Sequence, residues 1–305
     1  MSADSTSTPE QLLKRLDWQI IRRLDGLLQG DYRALFYGNG IDFADLREYQ
    51  PNDDIRHIDW NVTARMNAPY VRQFIEDRDL TAWFVLDLSR SMTFGPEDRQ
   101  KQTILNNFVI TMARILTRSG IRVGALLCDH QVEKSIPPRT GRKQVLRLIR
   151  ELYRPNLIGD TTPKEDGMTA MSSILQQALN GIKRRVLLFV VSDFISQPGW
   201  ESPLTLLNQR HELIAVRIFD PREVELPDAG LLVIQDSETG EQLYVDTSDR
   251  GFRQRFKAAA DERERALAHT FKRNGVDLLT LSTEDDLVKQ ILNFAAKRKK
   301  RKALR

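Results

Sequence analysis

Trp83-Phe84-Val85-Leu86-Asp87-Leu88-Ser89-Arg90-Ser91 is an apolar run that ends on a carboxylate and two hydroxyls at alternate positions. Four more short apolar runs follow it, at 123–128, 186–191, 213–216 and 276–281. Runs of this length separated by helical patterns are what a parallel sheet covered on both faces requires, because each strand is then buried on both sides. Between the first two runs, Ile104, Leu105, Phe108, Val109, Met112, Ala113 and Leu116 form a wide helical stripe. Further helices are predicted over 171–179 and 252–271, with Ser282 and Asp285 capping a last one. The segments 230–235 and 242–245 flank Asp236-Ser237-Glu238-Thr239-Gly240 and read as an inserted β-hairpin. The expectation is an α/β fold with a mostly parallel sheet over 80–296.

Upstream of the sheet, Thr8, Pro9 and Gln11 read as N-cap, first-turn proline and capping-box partner. Leu12, Leu16, Ile20, Leu24 and Leu28 then recur every four residues, an amphipathic helix that Gly30 would end. Residues 31–79 are dense in Asp, Arg, Asn and aromatics and cannot build a core of their own. The division is therefore 1–79, 80–296, and a basic tail over 297–305.

That tail, KRKKRKALR, decides how the charge is read. The chain of 305 residues carries 46 Lys and Arg, 42 Asp and Glu, and a formal charge of +4. Removing the seven basic residues of the tail from 46 leaves 39 against 42 acidic, so the body is slightly acidic. Nucleic acid is not the expected partner of the body. The tail reads either as a polyanion contact or as a helix end whose cations suit the dipole, and the second is favoured. An apolar share of 41% with 29% charged residues is globular composition and excludes wholesale disorder. No apolar stretch approaches the roughly 18–20 residues of a bilayer crossing, and the start lacks a signal-peptide pattern, so a cytoplasmic protein is expected. The single Cys128 lies in an apolar run and is expected to be buried rather than reactive.

In an open parallel sheet ligands bind outside the carboxyl ends of the strands. Asp87, Ser89 and Ser91 offer hard oxygen ligands there to a small divalent cation, Mg2+ or Mn2+. Asp193, at the end of Val190-Val191-Ser192, supplies a second carboxylate. The structural alternative is that the two serines cap the next turn and Asp193 caps a helix.

D-x-S-x-S after an apolar strand resembles the first element of the metal-ion-dependent adhesion site of von Willebrand factor A-type domains. The resemblance implies a Rossmann-like three-layer domain and adds a Thr to the metal shell. Thr169 in Gly167-Met168-Thr169 is the preferred match, with Thr161 and Thr162 as rivals. Asp193 matches the family's later Asp. The segment from Gly38-Asn39-Gly40-Ile41-Asp42-Phe43 through Arg47, Tyr49, Pro51, Asp53, Asp54, Arg56, Asp59, Trp60, Thr63 and Arg65 resembles the signature of the domain of unknown function 58 family. That signature runs G-x-G-x-[DE]-F, R-x-Y-x-P-G-D-D-x-R-x-I-D-W and T-A-R, with Asn52 here in place of the usual Gly. Asp236, Thr239-Gly240 and Asp246-Thr247 also resemble the family. The resemblance implies a MoxR-type AAA+ ATPase as partner, with this chain presenting a client protein to it in a chaperone-like system.

Read physically, Arg47, Arg56 and Arg65 can each fork onto a carboxylate, with Asp53, Asp54 and Asp59 within loop reach. A structural lock is favoured over a partner surface for Asp59, Trp60 and Arg65, and His57 is expected at the surface. Enzyme readings find little support. The chain has no G-x-x-x-x-G-K-[ST] loop, Phe43 stands where a dinucleotide fingerprint wants its third glycine, and no G-x-S-x-G occurs. A Mg2+-dependent phosphatase using Asp87 as nucleophile would want an acid/base carboxylate two residues on, where Ser89 stands. The expected function is a non-enzymatic, metal-dependent interaction protein.

Overall fold

The computed structural model describes residues 8–17, 20, 23–24, 45–50, 53, 55, 58–66, 68–73, 80–95, 100–129, 131–154, 171–235 and 242–303. A six-stranded sheet in the order β10-β7-β6-β3-β4-β5 organises the chain. Its strands are β3 (Thr81–Asp87), β4 (Arg122–Cys128), β5 (Val132–Arg139), β6 (Leu187–Ser192), β7 (Glu212–Phe219) and β10 (Asp277–Ser282). Each of the five apolar runs forms one of the parallel strands. The sixth strand, β5, pairs antiparallel with β4 at the sheet's edge and was not among the expected strands. Its Pro137 and Pro138 hide it in the sequence, and an edge is where a strand tolerates residues without an N–H.

Helices cover both faces. One face packs α1 (Pro9–Leu16), α3 (Lys101–Arg118), α4 (Gly141–Leu152) and α8 (Leu287–Ala303). The other packs α5 (Met171–Gly181), α6 (Glu201–Arg210) and α7 (Arg250–Arg273). Strand β6, Leu-Leu-Phe-Val-Val-Ser, is buried along its whole length and sends alternate side chains into each half of the core. On the first face Phe189 stacks on Phe84 at 4.9 Å between centroids and meets Phe108 edge-on at 6.0 Å. Helices α4 and α6 had not been singled out in the sequence.

Thr8 caps α1 with both halves of the capping box formed, as its sequence predicts. Leu12, Leu13, Leu16 and Leu24 are buried in the same core as the sheet, so this helix is part of the α/β body and not of a separate N-terminal unit. The small sheet of β1 (Asp45–Glu48) and β2 (Tyr70–Gln73) lies beside the short α2 (Trp60–Met66). The expected hairpin is formed by β8 (Leu231–Gln235) and β9 (Gln242–Asp246). Buried Thr247 closes its base, accepting from Ala229 N at 3.0 Å and donating to Gly230 O at 2.7 Å.

Two boundaries differ from expectation. Ser282 and Asp285 form the turn before α8, but the cap is Asp286, whose Oδ1 accepts from Val288 N and Lys289 N. The division at 296/297 falls inside α8, which runs to Ala303. Arg298 is buried there and pairs with Asp277 and Glu212 at 2.5 and 2.6 Å, so this stretch of the basic tail is built into the fold. No helix among the described residues is long and apolar enough to cross a membrane.

Candidate functional site

Strands β3 and β6 are neighbours, and their carboxyl ends bring Asp87 and Asp193 to the same edge of the sheet. After β3 the chain turns into a short 3-10 helix, Arg90–Thr93, with Ser89 at its cap position. The Ser89 hydroxyl makes no capping bond there. It lies 3.0 Å from the Ser91 hydroxyl instead, and both side chains are buried. Asp87, also buried, accepts from Ser89 N through Oδ1 at 3.0 Å and from the Ser192 hydroxyl through Oδ2 at 2.6 Å. Burial first, and then the charge of Asp193, pushes the Asp87 carboxyl up to about 6 against the pull of these hydrogen bonds.

After β6 the backbone makes a tight local turn. Ile195 N donates to Asp193 Oδ1 at 3.0 Å, and Phe194 N donates to Ser192 Oγ at 2.8 Å. Phe194 has φ of 56°, an uncommon value for an L side chain, and its ring packs on Trp200 and Phe271. This aromatic cluster holds the turn that aims Asp193.

The sequence reading missed the partner of Asp193. Lys101, the first residue of α3, is fully buried and places its ammonium 2.7 Å from Asp193 Oδ2 and 2.6 Å from Glu223 Oε1. Burial alone would lower the Lys101 pKa, but the charges of Asp193 and Glu223, each with a hydrogen bond, outweigh it and hold the group above its ordinary value. The Glu223 Oε2 atom accepts from Asp220 N at 3.1 Å, which fixes the carboxylate. One signal in the sequence pointed here. A Lys in the first turn of a helix opposes the helix dipole, so it needs an acid from elsewhere.

Adjacent oxygens of an octahedral Mg2+ shell, with Mg–O of about 2.0–2.1 Å, are about 2.9 Å apart. The two serine hydroxyls are 3.0 Å apart. The Asp87 carboxylate accepts from Ser89 N, the Ser192 hydroxyl and the Ser89 hydroxyl, and its roughly four lone-pair sites leave one for a cation. Asp87, Ser89 and Ser91 therefore fit the group. Asp193 does not fit as a direct ligand, because the ammonium already sits on it and repels a second cation. Thr169 and its rivals Thr161 and Thr162 lie outside the described residues. Among the described residues no three His, Cys, Asp or Glu side chains gather into a metal site. The candidate rests on one carboxylate and two hydroxyls.

The signature segment behaves differently from the lock expected of it. Asp59 is buried and its Oδ1 accepts from Val62 N at the start of α2, while its own N donates to Tyr70 O at 2.8 Å and Tyr70 N donates to Thr63 Oγ1 at 3.0 Å, so Asp59 and Thr63 tie α2 to β2. Asp53 accepts from Gln50 N at 2.9 Å in a local turn beside Tyr49. Trp60 does not pack: it is 67% exposed, with Ile55 and Met66 exposed nearby in sequence. Arg65 is exposed and has no carboxylate partner among the described residues. Gly40, Phe43, Pro51, Asp54, Arg56 and His57, and the side chain of Arg47, lie outside the described residues. Cys128 is buried as expected; burial, with Asp87 and Glu133 adding, pushes its thiol well above the ordinary range, so it stays a thiol.

The comparisons with known proteins agree with the signature. An uncharacterized protein of Mycobacterium tuberculosis is 34% identical over 290 residues, covering 94% of this chain and 89% of the relative. An uncharacterized protein of Mycobacterium bovis matches with the same identity and coverage. Among solved structures, the conserved hypothetical protein BatB of Bacteroides thetaiotaomicron covers 72% of this chain and 99% of its own, at 14% identity and a TM-score of 0.44. The family described as "Protein of unknown function DUF58" matches residues 45–266, and the chain belongs to that family.

Proposed function

We propose that this chain is a non-enzymatic, metal-dependent interaction protein with a von Willebrand factor A-like domain, working in the cytoplasm. In this reading Asp87, Ser89 and Ser91 hold Mg2+ or Mn2+, and a carboxylate of the partner completes the shell. The partner is a MoxR-type AAA+ ATPase, to which the chain presents a client protein for assembly or activation. The observation that carries the reading is the buried serine pair at 3.0 Å beside Asp87, with Ser89 free of the capping bond that would explain it as a turn residue. The ion's contribution when bound is an open coordination position that attracts an acidic side chain. The protein's own part is to fix the three donors: Ser89 N and the Ser192 hydroxyl orient the Asp87 carboxylate.

Hydrolase chemistry is less well supported. A nucleophilic Asp87 would want an acid/base carboxylate two residues on, and Ser89 stands there.

The test uses the purified chain and the MoxR-type ATPase of the same genome. Binding is expected to weaken at least tenfold in chelator and in Asp87→Ala, with the thermal melt of the chain retained. Equal binding by wild type and Asp87→Ala, with and without Mg2+, would sink the metal-bridging reading.

A further inference from the structure

The carboxyl edge of the sheet holds two unlike groups side by side. One is the oxygen-donor group of Asp87, Ser89 and Ser91. The other is the ion cluster of Lys101, Asp193 and Glu223, assembled from α3, the end of β6 and the turn after β7. The two groups are neighbours: Ser192, next to Asp193 in the chain, donates its hydroxyl to Asp87 Oδ2 at 2.6 Å. Three carboxylates and one ammonium leave two negative charges in place of three.

Lys101 is not free to swing away. Its side chain is fully buried, and it begins an 18-residue helix anchored in the core by Leu105 and Phe108. Its ring neighbour is Phe94, 5.8 Å from the ammonium, and its backbone N donates to Phe94 O at 3.1 Å. A fully buried lysine at a helix N-terminus works against both burial and the dipole, and many buried ion pairs can be replaced by apolar groups at no cost to stability. Something beyond stability is a reasonable purpose for it.

We propose that Lys101 is a tethered cation that occupies the second carboxylate group and so sets how weakly a divalent ion binds at Asp87, Ser89 and Ser91. This rests on the metal reading above. With one of the two charges of Asp193 and Glu223 cancelled by the ammonium, the ion meets two negative charges in place of three, and firm binding awaits a carboxylate from the partner. A lysine in this place turns a metal site into one that fills on contact.

The test is Mn2+ titration of the intact chain, with free Mn2+ followed by electron paramagnetic resonance and the thermal melt recorded alongside. Lys101→Met uncovers two acids and is expected to bind Mn2+ at least tenfold more tightly than wild type. Glu223→Gln lies at the rim, removes one negative charge and keeps the ammonium, and is expected to bind about threefold or more weakly. If Lys101→Met melts cooperatively and binds Mn2+ no more tightly than wild type, the proposal is overturned. If Lys101→Met does not fold, Glu223→Gln decides, and unchanged or tighter binding overturns it. Wild type that binds Mn2+ with neither variant shifted overturns this proposal and leaves the metal reading standing. No uptake by wild type or by either folded variant overturns both. Uptake by Lys101→Met alone supports the proposal. A purely structural ion pair would change the melt and leave the Mn2+ affinity where it was.

Discussion

The Ser192 hydroxyl donates to Asp87 Oδ2 at 2.6 Å, across residues 105 apart in sequence, and so joins the carboxyl ends of the two central strands. The same oxygen accepts from Phe194 N at 2.8 Å, which makes Ser192 the hinge between the Asp87 side and the Asp193 turn. Both bonds are buried.

Ser192→Ala leaves a buried carboxylate oxygen and a buried amide without this partner. The expected cost is about 1–3 kcal/mol. Urea unfolding of the variant against wild type measures it, and a change below a few tenths of a kcal/mol would show that water replaces the hydroxyl.

The C-terminal end of α8 is expected to matter for stability. Truncation after residue 296 removes Arg298 and leaves Glu212 and Asp277 without it; breaking a buried pair costs about 3–5 kcal/mol. Lys299→Glu with Lys300→Glu changes only exposed positions and should stay within about 0.5 kcal/mol. The double variant is therefore the clean probe of the polyanion reading. If it binds duplex DNA or anionic vesicles as wild type does at low salt, residues 299 and 300 take no part in such contacts.

His211, buried at the C-cap of α6 just before β7, gives a pH dependence with a defined sign. Burial, with the Arg210 charge next, pushes it down to about 4 from 6.5. A base with a depressed folded pKa contributes stability that is complete above its unfolded value and is lost as pH falls through the folded one. The window is about 6.5 down to 4, and the loss between pH 7.5 and 5.0 is about 2 kcal/mol from this group. Chemical denaturation of wild type and His211→Leu at the two pH values isolates it. The same loss in both proteins would assign the effect to other residues.

Gly124→Ala tests the packing of the edge strand on the sheet. A Cβ there would lie 3.0 Å from Ile136 O and 3.1 Å from the Trp83 ring, so either β5 or the indole must move. A destabilisation of about 1–3 kcal/mol is expected from overpacking of this kind. An unchanged melting temperature would mean that β5 yields without cost.

The parts written in consecutive residues were legible beforehand. Apolar runs of four to six residues became the five parallel strands, the Thr8 box capped α1, and the hairpin closed on Thr247. In each, the pattern that announces the element is written in a few consecutive residues, where side-chain type alone can be read. The carboxylate and hydroxyls at 87, 89 and 91 were legible for the same reason. Trp60 shows the limit of such reasoning. An aromatic amid charges was expected to pack, yet burial depends on what the fold brings against it, and here that side chain is exposed.

The sequence by itself therefore determined the α/β class, the five parallel strands and the carboxylate and hydroxyls at the end of β3. Only the tertiary structure decided that Lys101, 92 residues from Asp193 and 122 from Glu223, supplies their cation, and that Arg298 closes on Glu212 and Asp277. Charge pairs of this kind carry no periodicity. They exist because burial makes an uncompensated charge too costly, and which charges meet is settled by the order in which the strands lie side by side.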